Sequence, residues 1–85
     1  MISINNRSKS YPAFDLVIAN ISSKILIEKA YELAKATKNN GLLLAGGFIQ
    51  ERKPEVLDRL RNVGFQFKTE YIEDDWVQFL LQLNV

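Results

Sequence analysis

The stretch Phe14–Ile21, FDLVIANI, decides the fold: apart from Asp15 near its start it is an unbroken apolar run that ends in a lone Asn, and the pair Ser22-Ser23 follows. Apolar residues without strict alternation describe a strand buried on both faces, hence a parallel strand of an α/β sheet. Ser22 or Ser23 offers the N-cap of the helix behind it. Ligands of open α/β sheets sit outside the carboxyl ends of the strands, so Asn20 is the residue aimed at chemistry. No glycine-rich phosphate loop precedes the strand, and only thirteen residues stand before Phe14. The pattern reads as one part of a larger machine.

Working outward, Leu26, Ile27, Ala30, Tyr31, Leu33, Ala34 and Thr37 predict the inner face of a helix that closes near Asn39-Asn40-Gly41. Leu42–Ala45 predicts a second short buried strand, and Gly46-Gly47 behind it permits positive φ or the close approach of another backbone. Pro54 opens a second helix with Val56, Leu57, Leu60 and Val63 as its apolar stripe, stopped by Gly64-Phe65. Beyond Phe65 the period changes to two: Phe67, Thr69 and Tyr71, then Val77, Phe79, Leu81, Leu83 and Val85, with Glu73-Asp74-Asp75 as a polar turn between them. The expected order is strand-helix-strand-helix-strand-strand, an α/β unit that ends in an antiparallel pair. Residues 1–12 are set apart as an N-terminal arm, either irregular or a weak edge strand, and 13–85 form the body.

Composition narrows the function classes. Eighty-five residues suffice for one domain. Eleven Lys and Arg against ten Asp and Glu leave no general electrostatic attraction to nucleic acid or an anionic membrane. The absence of Cys and His removes disulfides, thiolate nucleophiles, imidazole bases and most zinc geometries, and fits a cytoplasmic address. No apolar run approaches the ~20 residues that span a bilayer, and the first ten residues lack a signal-peptide core. Glu73, Asp74 and Asp75 are adjacent acids that do not converge on one centre, so no metal site is expected. Lys24, Arg52 and Lys53 read as surface charge. Asp15 stands at the wrong end of its strand for catalysis.

Both strand-helix-strand crossovers should be right-handed. If they step the same way across the sheet, both helices fall on one face and the opposite face of FDLVIA and LLLA is left without a cover. A large uncovered apolar patch marks an interface or a missing portion.

The ordered set FDLVIANI, NNGLLLAGGFI, NVGF and EDDWVQFLL resembles the C-terminal half of class I S-adenosylmethionine-dependent methyltransferases, most closely the PrmA family of ribosomal protein L-eleven methyltransferases. The resemblance covers nearly the whole chain from about Phe14. It implies a partial Rossmann-like methyltransferase sheet and, for the family, transfer of a methyl group to amino groups of a ribosomal protein. Asn20 matches the family's Asn at the methyl-transfer site, where it would be catalytic and border the cofactor together with Ile21. Gly46, Gly47 and Phe48 would lie near the substrate. The family's glycine-rich loop and the acidic residue that holds the ribose have no counterpart in this chain. The chain is therefore expected to be an incomplete and inactive portion that binds S-adenosylmethionine weakly or not at all by itself. The alternative is a non-catalytic module that associates with itself or with a partner.

Plainer roles stand beside these. Asn20 would serve as a turn or cap residue, Ile21 as core, Gly46-Gly47 as a bend, and Trp76 either as an interface anchor or as a cover for the sheet edge. The expected partners are a second copy or the missing N-terminal half, with a ribosomal protein as substrate and no direct nucleic-acid signal.

Overall fold

The computed structural model describes residues 2–7 and 13–84, the first group as backbone. The elements are β1 (Ile2–Arg7), β2 (Phe14–Asn20), α1 (Ser23–Glu28), α2 (Ala30–Ala36), β3 (Thr37–Ile49), α3 (Lys53–Asn62), β4 (Phe65–Glu73) and β5 (Trp76–Leu83). A 3-10 turn over Gln50–Arg52 leads into α3. The strands form one sheet in the order β1-β2-β3-β5-β4, in which only β2 and β3 are parallel neighbours. The partial Rossmann-like sheet with an antiparallel C-terminal pair is therefore present. Of the two alternatives for the N-terminal segment, the edge strand is observed: β1 runs antiparallel to β2, with Ile4 opposite Val17. The rest of that segment lies outside the described residues.

Three elements depart from the sequence pattern. The first helix is bent in two at Lys29 (φ −99°, ψ 7°), although Lys29 N–H to Ile25 O (2.8 Å) and Leu33 N–H to Lys29 O (2.9 Å) carry the helical bonding across the bend. It also ends at Ala36 rather than near Gly41. Thr37 is β-branched, buried and already extended, and its hydroxyl donates to Leu33 O at 2.7 Å, so the chain turns into β3 there. Thr37 pairs with Phe14 and Leu42 with Leu16, so residues 38–41 bulge from the ladder, with Asn40 at φ 70°. Tyr31, expected inside, is exposed, and the Lys35 ammonium stands 5.4 Å from its ring. The turn bearing Tyr31 faces solvent because Leu26, Ala30 and Leu33 fill the contact with the sheet.

One core cluster joins the helices to one face of the sheet. Val17 and Ala19 of β2, Leu43 and Ala45 of β3, and Phe79 and Leu81 of β5 meet Leu26, Ala30, Leu33, Val56 and Leu60 there. Phe79 makes edge-to-face contacts with Phe48 and Phe67 at centroid distances of 5.1 and 5.4 Å. Helices α1 and α3 touch, and Arg59 Nε donates to Ile27 O at 3.2 Å. The helices thus share a face, as the crossover argument predicts. The other face carries Leu16 in register with Leu42, and Ile18 with Leu44 and Leu80, all half-buried. Among the described residues no helix lies over them, and none is long and apolar enough to cross a membrane.

The two faces should respond differently to truncation. Leu43→Ala, on the helix side, should lower stability in urea unfolding by about 3 kcal/mol, and Leu44→Ala, its neighbour on the open side, by about 1 kcal/mol. Equal losses would mean that the open side is packed as tightly as the core.

Candidate functional site

The carboxyl ends of β2 and β3 meet the outer end of the β4–β5 hairpin around a hollow of about 600 Å³, lined by Asn20, Ile21, Ser22, Gly46, Gly47, Tyr71, Glu73, Trp76, Val77 and Gln78. Pairing explains its shape. Asn20, Gly46, Gln78 and Tyr71 lie in one row across four strands. Because Gly46 has no side chain, the row has a gap between Asn20 and Gln78. A Cβ at Gly46 would meet Gln78 Cγ and Val77 O at 3.4 Å, close to ordinary contact, so what glycine preserves there is the open floor.

Gly47 is constrained more strictly. Its φ of +94° disfavours any side chain, and a Cβ would stand 2.7 Å from Asn20 Oδ1 and 2.8 Å from Ile21 O. The β3 ladder shifts register between Gly46 and Phe48, and the Ile21 N–H donates to Gly46 O at 3.1 Å. Both properties expected of the glycine pair, positive φ and close backbone approach, are combined at Gly47. The bulge brings Gly47 close to the Asn20 side chain at the rim of the hollow.

Of the residues singled out from sequence, Asn20, Ile21, Gly46 and Gly47 are brought together. Phe48 is not: it is 2% exposed and packs on Phe79 beneath the sheet, away from the hollow. Strand alternation past the Gly47 bulge puts it on the helix side. Ser22 is engaged as the N-cap of α1, its Oγ accepting from Ile25 N–H at 3.4 Å. Asp15, at the opposite end of β2, stands 3.7 Å from the Lys38 ammonium. Tyr71, Glu73 and Gln78 were missed as lining residues. Their signal was the hairpin itself: the period-two pattern running to Glu73 and resuming at Trp76 places those side chains beside the carboxyl ends of β2 and β3 once β5 is known to lie beside β3.

A half-sheet with crossover helices on one side and a hollow at the carboxyl ends of its parallel strands is part of a Rossmann-like methyltransferase fold. The fold is similar to the solved ribosomal protein L11 methylase of Lactobacillus delbrueckii subsp. bulgaricus, with a TM-score of 0.79 and 22% identity over 86% of this chain and 38% of that one. The profile described as "Ribosomal protein L11 methyltransferase (PrmA)" matches residues 1–84, and the chain belongs to that family. Relatives carrying the same description are 39% identical over 64 residues in Chloroflexus aurantiacus, 38% over 69 residues in Acetivibrio thermocellus and 34% over 79 residues in a Nitratiruptor species. These alignments cover 75%, 80% and 93% of this chain but only 20%, 22% and 27% of the relatives. The chain spans about a fifth to a quarter of their length.

The Gly47 contact is directly testable. Gly47→Ala should cost about 2 kcal/mol of stability in denaturant titration, more than Gly46→Ala, because only the former meets both strain and a clash.

Proposed function

We propose that this chain is the acceptor-side portion of an S-adenosylmethionine-dependent N-methyltransferase whose substrate is a ribosomal protein. The observation that carries the reading is Asn20 at the carboxyl end of β2, close to Gly47 at the rim of the hollow, in a chain that belongs to the PrmA family. S-adenosylmethionine, when bound, supplies an electrophilic methyl group. The contribution of this chain is orientation: the Asn20 amide oxygen accepts a hydrogen bond from the acceptor N–H and points the nitrogen lone pair at the methyl carbon. An amide is not a useful base, so the proton leaves to solvent. Ile21 supplies an apolar wall beside the cofactor, and Gly46 keeps the floor clear for the acceptor.

The fit of the cofactor to these residues is limited to its methyl end. Glu73 is the charged residue among those lining the hollow, and it repels a carboxylate rather than holding one. S-adenosylmethionine should therefore show no saturable heat of binding to this chain alone, whereas micromolar binding abolished by Asn20→Ala would make the chain a minimal enzyme. The transfer role is tested by exchanging this chain for the matching segment of the Chloroflexus aurantiacus relative and following labelled methyl transfer to a ribosomal protein. Activity that falls by about two orders of magnitude with Asn20→Ala supports the role. A chimera that binds cofactor but transfers nothing refutes it. A cytoplasmic location accompanies this reading.

The open apolar face favours a second reading, a non-catalytic module that pairs with another copy or docks on the remainder of a methyltransferase sheet. Sedimentation equilibrium at micromolar concentration should then show a species at least twice 9.8 kDa. Leu16→Lys or Ile18→Lys should dissociate it. Val17 faces the helices, so Val17→Lys tests folding instead. A folded monomer throughout that range would rule out self-pairing.

A further inference from the structure

We propose that Asn40-Gly41 is a site of spontaneous deamidation that the bulge of β3 keeps closed in the folded protein, so that opening of the amino end of β3 is recorded there irreversibly. The inference stands apart from the methyltransferase reading, because the site lies at the end of the sheet opposite the hollow.

The chemistry follows from the sequence. Asn40-Gly41 is the one Asn-Gly pair of the chain. A glycine after asparagine leaves its backbone nitrogen unshielded and its backbone free to turn. That nitrogen loses its proton as it attacks Asn40 Cγ: the N–Cγ bond forms, the Cγ–Nδ2 bond breaks, and Nδ2 departs with the proton as ammonia. Water then opens the five-membered imide at either carbonyl. The product is an aspartate or an isoaspartate whose main chain is one carbon longer. Water is the co-reactant, and nothing is oxidised or reduced.

The structure exposes the group and locks its geometry. Asn40 is exposed, so solvent reaches its side-chain amide, and its φ of 70° puts it in the left-handed region. In that region the Gly41 nitrogen lies on the far side of the Asn40 Cα–C bond from Cβ, whereas ring closure needs the two eclipsed. The peptide between the residues must therefore turn over. The fold opposes that turn. Gln82 Nε2 donates to Asn40 O at 3.0 Å. Gly41 is buried, and a Cβ on it would stand 2.7 Å from Lys38 O, 3.0 Å from Phe14 O and 3.1 Å from Asp15 O. The ladder closes on either side of the bulge, at Thr37 with Phe14 and at Leu42 with Leu16. The reaction thus waits on local opening of the bulge. An isoaspartate then lengthens a segment whose two ends are fixed on β2, so the seat of Gly41 does not re-form.

Lys38 and Arg52 bound a tryptic peptide, residues 39–52, in which mass spectrometry reads the amide-to-acid gain and fragmentation assigns it to Asn39 or Asn40. The intact chain is incubated at mildly alkaline pH in buffer and in unfolding guanidinium chloride. In denaturant Asn40 should convert at the rate of a synthetic 39–52 peptide in the same solvent, and in buffer at least about tenfold more slowly. Gln82→Leu should raise the rate in buffer about threefold and leave the rate in denaturant unchanged. The purified isoaspartate chain should unfold at lower denaturant than Asn40→Asp, which carries the same charge without the extra carbon. Equal rates in buffer and denaturant, no gain at Asn40 in either, a gain confined to Asn39, or indifference of the folded chain to Gln82→Leu would overturn the closed site. Equal unfolding of the isoaspartate chain and Asn40→Asp would overturn the irreversibility. The comparison of buffer with denaturant uses the unaltered chain and does not depend on any variant folding.

Discussion

A row of three fully buried side chains, Val17, Leu43 and Leu81, holds neighbouring strands under one set of helices. The row crosses from a parallel pairing, β2 with β3, to an antiparallel one, β3 with β5. Removing Leu43 would release both neighbours at once, because β3 is the strand through which the sheet's two halves communicate. The hollow depends on the same register. Three residues further along, the pairings that align Val17 with Leu43 and Leu81 align Asn20 with Gly46 and Gln78.

The sheet is asymmetric because its crossovers use one face. Helices α1, α2 and α3 bring Leu26, Ala30, Leu33, Val56 and Leu60 to that side, and the Arg59 guanidinium ties α3 to a carbonyl of α1. The remaining apolar positions, Leu16, Ile18, Leu42, Leu44 and Leu80, sit at alternate places on the same strands and so point the other way. This distribution gives the protein both a packed core and a surface suited to a further layer.

Regularity fails at the end of the sheet that holds the hollow. Gly47 takes positive φ, the β3 ladder slips, and Asn20 and Ile21 close on the glycine from β2. On the far side the β4 ladder slips between Phe67 and Thr69, which turns Tyr71 and Glu73 to the open face of the sheet and leaves them exposed. The site thus combines a close-packed wall at Gly47 with a solvent-facing one.

Much of this was legible locally. The run FDLVIA, apolar apart from Asp15, reads as a strand, the Gly64 stop and Pro54 start bound α3, and alternation marks β4 and β5, because each rests on side-chain periodicity or backbone preference within a few residues. The family resemblance came from the order of those pieces. The end of the first helix was misplaced since helix propensity through Lys38 competes with the burial of Thr37, and burial is a tertiary quantity. Tyr31 was assigned inward for the same reason: a stripe gives the side of a helix but not how much of it the sheet covers. The sequence by itself determined the strands, the two-glycine bend and the identity of Asn20. Only the tertiary structure decided that β5 inserts between β3 and β4, and so that Tyr71, Glu73 and Trp76 share the hollow with Asn20 while Phe48 does not, because strand order and bulge direction arise from contacts between residues distant along the chain.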